Sequence, residues 1–224
     1  MMLTFDLLQE LVKFDTEIFF WINQKHTPFF DYFMDAYSGK WQWIPMYMAI
    51  FYVMLRNFSL KVALLSLIAV ALTITFADQV CATLIRPVVE RMRPSNLNNE
   101  ISHMVHIVDN HRGGRFGFPS CHAANTFGLA FFLHLLFRKK GLTAFMLFWS
   151  LLTCYSRSYL GVHYPGDLLA GMFVGATGAC LVYIAFCRFT HNHLPEKWTY
   201  PYVPVWIGFG TIGVMLIYAA FSVN

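Results

Sequence analysis

Residues 62–85 read VALLSLIAVALTITFADQVCATLI, an apolar run broken by one charge, Asp78. Residues 165–187 (PGDLLAGMFVGATGACLVYIAFC) and 202–223 (YVPVWIGFGTIGVMLIYAAFSV) repeat the pattern. Each reaches the roughly 20 residues that a helix needs to cross a bilayer. Shorter runs at 41–58, 118–137 and 141–160 bring the expected spans to six, with both termini on one side. The expected fold is all-α, a polytopic membrane helical bundle.

Composition agrees. Hydrophobic residues make up 57% of the 224-residue chain and charged residues 12%, about half the share usual in a soluble domain. A soluble protein of this size could not cover that much apolar surface. The first twelve residues carry Asp6 and Glu10 but no Lys or Arg, so no basic n-region of a cleavable signal is expected. The five cysteines form no CxxC pair, and Cys81, Cys154, Cys180 and Cys187 fall in or at the ends of spans. Neither a disulfide framework nor a zinc site is expected. A net charge of +4 is too small to suggest a nucleic-acid partner.

The chain is expected to form one domain, 1–224. Residues 1–40 are an interfacial amphipathic segment, 41–223 the transmembrane bundle, and 86–117 a long polar loop on the active-site face. In 3–14 (LTFDLLQELVKF), Leu7, Leu8, Leu11 and Val12 share one helical face, opposite Asp6, Gln9, Glu10 and Lys13. Residues 27–37 mix aromatics with Asp31 and Asp35. Such helices lie in the membrane interface; ordinary amphipathic helices packed on the bundle fit equally well. Trp41, Trp43, Trp198, Tyr200, Tyr202 and Trp206 read as aromatic belts. Gly171, Gly175 and Gly178 lie on one face of the fifth span, where small residues let helices approach closely.

Polar residues that are costly near a membrane fall in three stretches: RPVVERMRP (86–94), PSCH (119–122) and SRSYLGVHYPGD (156–167). They end the second span, begin the third, end the fourth and begin the fifth, so parity puts all of them on one membrane face. Together they supply Arg86, Arg93, Ser120, Cys121, His122, Arg157, His163 and Asp167. Clustered arginines repel unless an anion lies between them, and a guanidinium grips phosphate oxygens in pairs. Ser120 is a good N-cap, and the N–H groups of Cys121 and His122 at a helix start would form an anion seat. Asp167, four residues after His163, can accept a proton from one ring nitrogen and leave the other nucleophilic.

These motifs resemble the type 2 phosphatidic acid phosphatase superfamily, whose signature is KxxxxxxRP, PSGH and SRxxxxxHxxxD. Ser156, Arg157, His163 and Asp167 match the third motif in full. Cys121 stands where the family has glycine, and Arg86 where it has lysine. The resemblance covers roughly residues 60–187. It implies a lipid phosphatase that needs neither metal nor cofactor and works through a phosphohistidine. By that implication His163 is the nucleophile, Asp167 orients it, and His122 is the acid and base. Arg86, Arg93, Ser120, Cys121 and Arg157 would then hold the phosphate. The implied substrates are envelope lipids, undecaprenyl diphosphate or lipid A, with phosphatidylglycerol phosphate and phosphatidate as alternatives. A non-hydrolytic anionic-lipid binding or transport protein is the competing class, but it has no use for the His163–Asp167 pair.

The expected partners are the lipid substrate and the bilayer. The face opposite the motifs carries Arg56, Lys61, Arg138, Lys139, Lys140, Arg188 and Lys197 against Glu196 alone. Basic residues gather in short cytoplasmic loops. The site is therefore expected to face the periplasm from a bacterial inner membrane. Arg112, Arg115, His106 and His111 are expected to be solvated loop residues rather than headgroup contacts.

Overall fold

The computed structural model describes residues 2–190, 195 and 197–223, with side chains from residue 6. Glu196, counted in the charge balance above, lies outside the described residues. Among the described residues eight helices run in order: α1 (Met2–Asn23), α2 (Pro28–Ser38), α3 (Ile44–Asn57), α4 (Leu60–Val89), α5 (Cys121–Phe137), α6 (Lys140–Tyr159), α7 (Pro165–Thr190) and α8 (Val203–Ser222). The protein is an all-helical membrane bundle. Among the described residues there is no strand, only an isolated antiparallel bridge between Met92 and Phe116. α4, α7 and α8 are long and apolar enough to cross a membrane.

Local chemistry sets the boundaries. Thr27 caps α2, its hydroxyl accepting from the Phe30 N–H at 3.3 Å, and Pro28 supplies the preset φ of the first turn. Ser59 caps α4 and Ser120 caps α5 in the same way. Pro165 opens α7. Arg138 in the left-handed region (φ 51°) closes α5 and reverses the chain into α6.

One boundary differs from the sequence reading. The second span does not end at 85: α4 continues to Val89, passing through a wide π turn over Val80–Ile85. The Arg86 N–H reaches back five residues to the Cys81 carbonyl. One inserted residue turns every later side chain by about 100° around the axis. Arg86 and Pro87 mask this continuation in sequence, because a charge followed by proline reads as a helix end.

The tightest helix pair is α5 with α7. A Cβ on Gly175 would lie 2.1 Å from the Ala124 carbonyl oxygen, and one on Gly171 2.4 Å from that of Ser120. Gly178 instead faces Phe76 of α4. The expected close approach is thus present, against two different partners. It fixes the start of α5 against the start of α7. On the other side, α2 docks on α6: Tyr37 donates to the Trp149 carbonyl at 3.1 Å, and Trp43 Nε1 to the Tyr37 carbonyl at 2.9 Å. Trp43 is therefore buried in the core rather than part of an aromatic belt, whereas Trp41 and Trp206 are exposed. Leu7, Leu8, Leu11 and Val12 are exposed on α1, so that face does not pack on the bundle.

Candidate active site

The end of α4, the start of α5, the end of α6 and the start of α7 converge, with His163 in the connection between α6 and α7. The His163 ring is 1% exposed. Arg93 Nη1 lies 2.7 Å from its Nε2, and an Asp167 carboxylate oxygen 3.3 Å from its Nδ1. These contacts fix the tautomer. A guanidinium has only donors, so Nε2 must be the acceptor, and the ring proton sits on Nδ1 facing Asp167. Burial first, then the charges of Arg93, Arg157 and Arg86, hold the His163 pKa well below the usual imidazole range. The ring is neutral at pH 7, with its lone pair on Nε2.

Asp167 is fully buried and held on every side. Its carboxylate accepts from Arg91 Nη1 at 3.0 Å and from the Tyr164 N–H at 3.1 Å. Its backbone carbonyl accepts from the Ser120 N–H at 2.9 Å, which ties α7 to the cap of α5.

The three arginines occupy one neighbourhood. Arg86 Nη2 donates to the Pro119 carbonyl at 3.0 Å and to Cys121 Sγ at 3.1 Å. Arg93 Nη1 also donates to the Val162 carbonyl at 2.9 Å. Arg157 Nη1 donates to Ser38 Oγ on α2. Arg93 and Arg157 are 9% and 7% exposed. Burial, then the nearby charge of Arg86, pushes the Arg93 pKa down to about 10, which still leaves it cationic at neutral pH. The Nε–H groups of Arg86, Arg93 and Arg157 are all buried without an acceptor. Three orphaned cationic donors in one neighbourhood are costly unless an anion completes them. His122, on the first turn of α5, lines a cavity together with Arg157.

The structure thus brings the residues singled out in the sequence to one place, where His122 and Arg157 line one cavity. Sequence reasoning missed Arg91 and Asp15. Arg91 pairs with both Asp167 and Asp15, at 3.0 and 2.6 Å, while its guanidinium covers the Tyr164 ring at 4.0 Å. Asp15 also accepts from the Gly166 N–H at 2.7 Å, docking α1 onto the site. Arg91 stood in the quoted motif, but only its extended pairing with residues 115–117 reveals that it points at Asp167. In the loop, Arg112 donates to the Ser95 carbonyl at 2.8 Å, His106 pairs with Asp31 at 3.0 Å, and His111 lines the cavity. Arg112 is thus tied to the loop's own backbone, while His106 anchors the loop to α2.

Gly117 packs directly against the His163–Asp167 pair. A Cβ there would lie 2.9 Å from an Asp167 carboxylate oxygen and 3.2 Å from Arg93 Cγ. Gly117→Ala is expected to lower kcat/KM by roughly 10²-fold through displacement of these groups by a fraction of an ångström. Phosphate-release kinetics on folded, monodisperse variant would check it; unchanged kinetics would show that the side chains can yield.

The PAP2 superfamily model matches residues 62–191, which include every motif above. The chain is 52% identical to the lipid A 4'-phosphatase of Bacteroides thetaiotaomicron over 184 residues, 82% of each protein. It is 33% identical to the lipid A 4'-phosphatase of Porphyromonas gingivalis over 178 residues, 79% of this chain and 74% of that one. Its fold is similar to the crystal structure of Aquifex aeolicus LpxE, with a TM-score of 0.55 at 22% identity, over 75% of this chain and 93% of that one. With the family model spanning every motif and two such relatives matched over most of the chain, the chain belongs to the PAP2 superfamily.

Proposed function

We propose that this protein is a lipid A 4′-phosphatase that works through His163. The observation that carries the mechanism is the buried chain Arg93–His163–Asp167, set beside three guanidinium groups with unsatisfied Nε–H donors. The relatives' names support the substrate and the position of the phosphate removed.

In this scheme a phosphoryl group enters among Arg86, Arg93 and Arg157. Its anionic oxygens are better acceptors for Arg93 than a neutral ring nitrogen is, so Arg93 turns to them and frees Nε2. That nitrogen attacks phosphorus in line with the leaving sugar oxygen. His122, which takes up a proton as the phosphate dianion enters beside it, donates that proton to this oxygen as the P–O bond breaks. Asp167 stabilises the positive charge that develops on His163. Water, giving its proton to His122, then attacks the phosphohistidine, releases phosphate and restores neutral His163. The guanidinium groups, Ser120 and the N–H groups of Cys121 and His122 stabilise charge on the transferring oxygens. The charge asymmetry of the loops supports a site facing the periplasm.

The test is phosphate release by the purified protein in detergent from lipid A, undecaprenyl diphosphate, phosphatidylglycerol phosphate and phosphatidate. Lipid A is expected to be the best substrate, with loss of the 4′-phosphate by mass spectrometry and activity that persists in chelator. Preference for another lipid overturns the substrate; loss of activity in chelator overturns the mechanism.

A further inference from the structure

The cavity that His122 and Arg157 line has a volume of about 440 Å³. That is the scale of a pocket for a whole small molecule, about 300–1,000 Å³, and more than one phosphoryl group needs. The rest of its polar lining comes from outside the three motifs: Asp35 and Ser38 on α2, Lys40 and Gln42 in the turn that follows, and His111 from the long loop. The wall is held in place. α2 is pinned to α6 through Tyr37 and Trp149, and Trp43 closes the turn onto Tyr37. Ser38 also accepts from Arg157, so the wall touches a guanidinium of the phosphate cluster.

The chemistry of this wall suits one kind of group. A carboxylate, an amide, an ammonium and an imidazole offer acceptors and donors to a ring that bears hydroxyl or amide groups. An acyl or prenyl chain would desolvate those groups without pairing them. The apolar grooves of the bundle suit chains instead; one is lined by Leu65, Ile68, Leu72, Val182 and Phe189.

We propose that the wall Asp35–Gln42 is a saccharide subsite, which takes the pyranose ring carrying the scissile phosphate. It rests on the lipid A reading and deepens it: selection for a glycolipid is made by α2 and its following turn, not by the family motifs. Phosphate binding and sugar binding are then separable functions of two parts of the chain.

The experiment compares wild type with Gln42→Ala and Asp35→Asn on lipid A and on phosphatidate, which has no sugar. A site built to hydrogen-bond a ring loses about 10-fold or more when one contact goes. Each variant is expected to lose at least about 10-fold in kcat/KM on lipid A while phosphatidate hydrolysis stays within about twofold. The phosphatidate rate doubles as the control for folding. Unchanged lipid A kinetics, or proportional losses on both substrates, would overturn the subsite. A free hexosamine phosphate is also expected to inhibit wild type more strongly than inorganic phosphate, and this difference should vanish in Gln42→Ala. Equal inhibition by the two would overturn the proposal even where lipid A proves not to be the substrate. Failure of wild type on lipid A, by contrast, sinks the functional reading.

Discussion

Alanine at position 163 is expected to reduce phosphate release by at least about 10⁴-fold, the scale seen when a covalent nucleophile is deleted. No other imidazole can take over. His163 is fixed by Asp167 on Nδ1 and by Arg93 on Nε2, and its backbone carbonyl accepts from Ser158 Oγ at 3.0 Å. His122 and His111 line the cavity, but neither has a carboxylate partner of this kind among the hydrogen bonds of the described residues. Folding should survive the change, because a methyl group in place of a neutral ring removes no buried charge. Asp167 would lose one of its partners but keep Arg91 and the Tyr164 N–H. Single-turnover assays with radiolabelled lipid should find no acid-labile, base-stable phosphoprotein in the variant. A rate above a tenth of wild type would remove His163 from the reaction.

The second large effect is on folding. Gly175→Leu is expected to prevent recovery of a monodisperse protein, and Gly175→Ala to lower the apparent melting temperature sharply. The Cβ would meet the Ala124 carbonyl oxygen at 2.1 Å and the Gly128 nitrogen at 2.8 Å. Both are backbone atoms inside α5, so no side-chain rotation relieves the clash and the helices must separate. Overpacking of this kind costs typically about 1–3 kcal/mol. Separation also pulls Ser120 away from the Asp167 carbonyl, so activity should fall with stability. Gly210→Ala and Gly213→Ala on α8 are the controls, since a Cβ at either meets nothing within 4 Å. They should be neutral in thermal unfolding. Equal tolerance at 175 and 210 would mean that the seam between α5 and α7 is not the constraint.

The two predictions draw on different depths of information. The helices were legible because apolar runs of membrane length leave little choice: a backbone in hydrocarbon must satisfy its own hydrogen bonds. Predicted runs at 165–187 and 202–223 correspond to helices Pro165–Thr190 and Val203–Ser222. The end of α4 was missed because Pro87 reads as a breaker, and the π turn that precedes it is a hydrogen-bond shift that no residue type announces. Trp43 was misread for a related reason. An aromatic residue at a span end reads the same whether it meets headgroups or, as here, another tryptophan, with its ring 5.5 Å from that of Trp149.

By itself the sequence determined that the chain is a helical membrane protein, and it led to the expectation that its three polar motifs share one face. Both follow from one-dimensional quantities, the length of apolar runs and the parity of crossings. Only the tertiary structure decided that Arg93 sets the His163 tautomer and that Arg91 and Asp15 brace Asp167. It alone decided that α2 walls the cavity. Those facts depend on contacts between segments far apart in the chain, such as Arg91 with Asp15 and Ser38 with Arg157. No local pattern encodes such contacts, because they arise where packed helix ends leave a polar group no other partner.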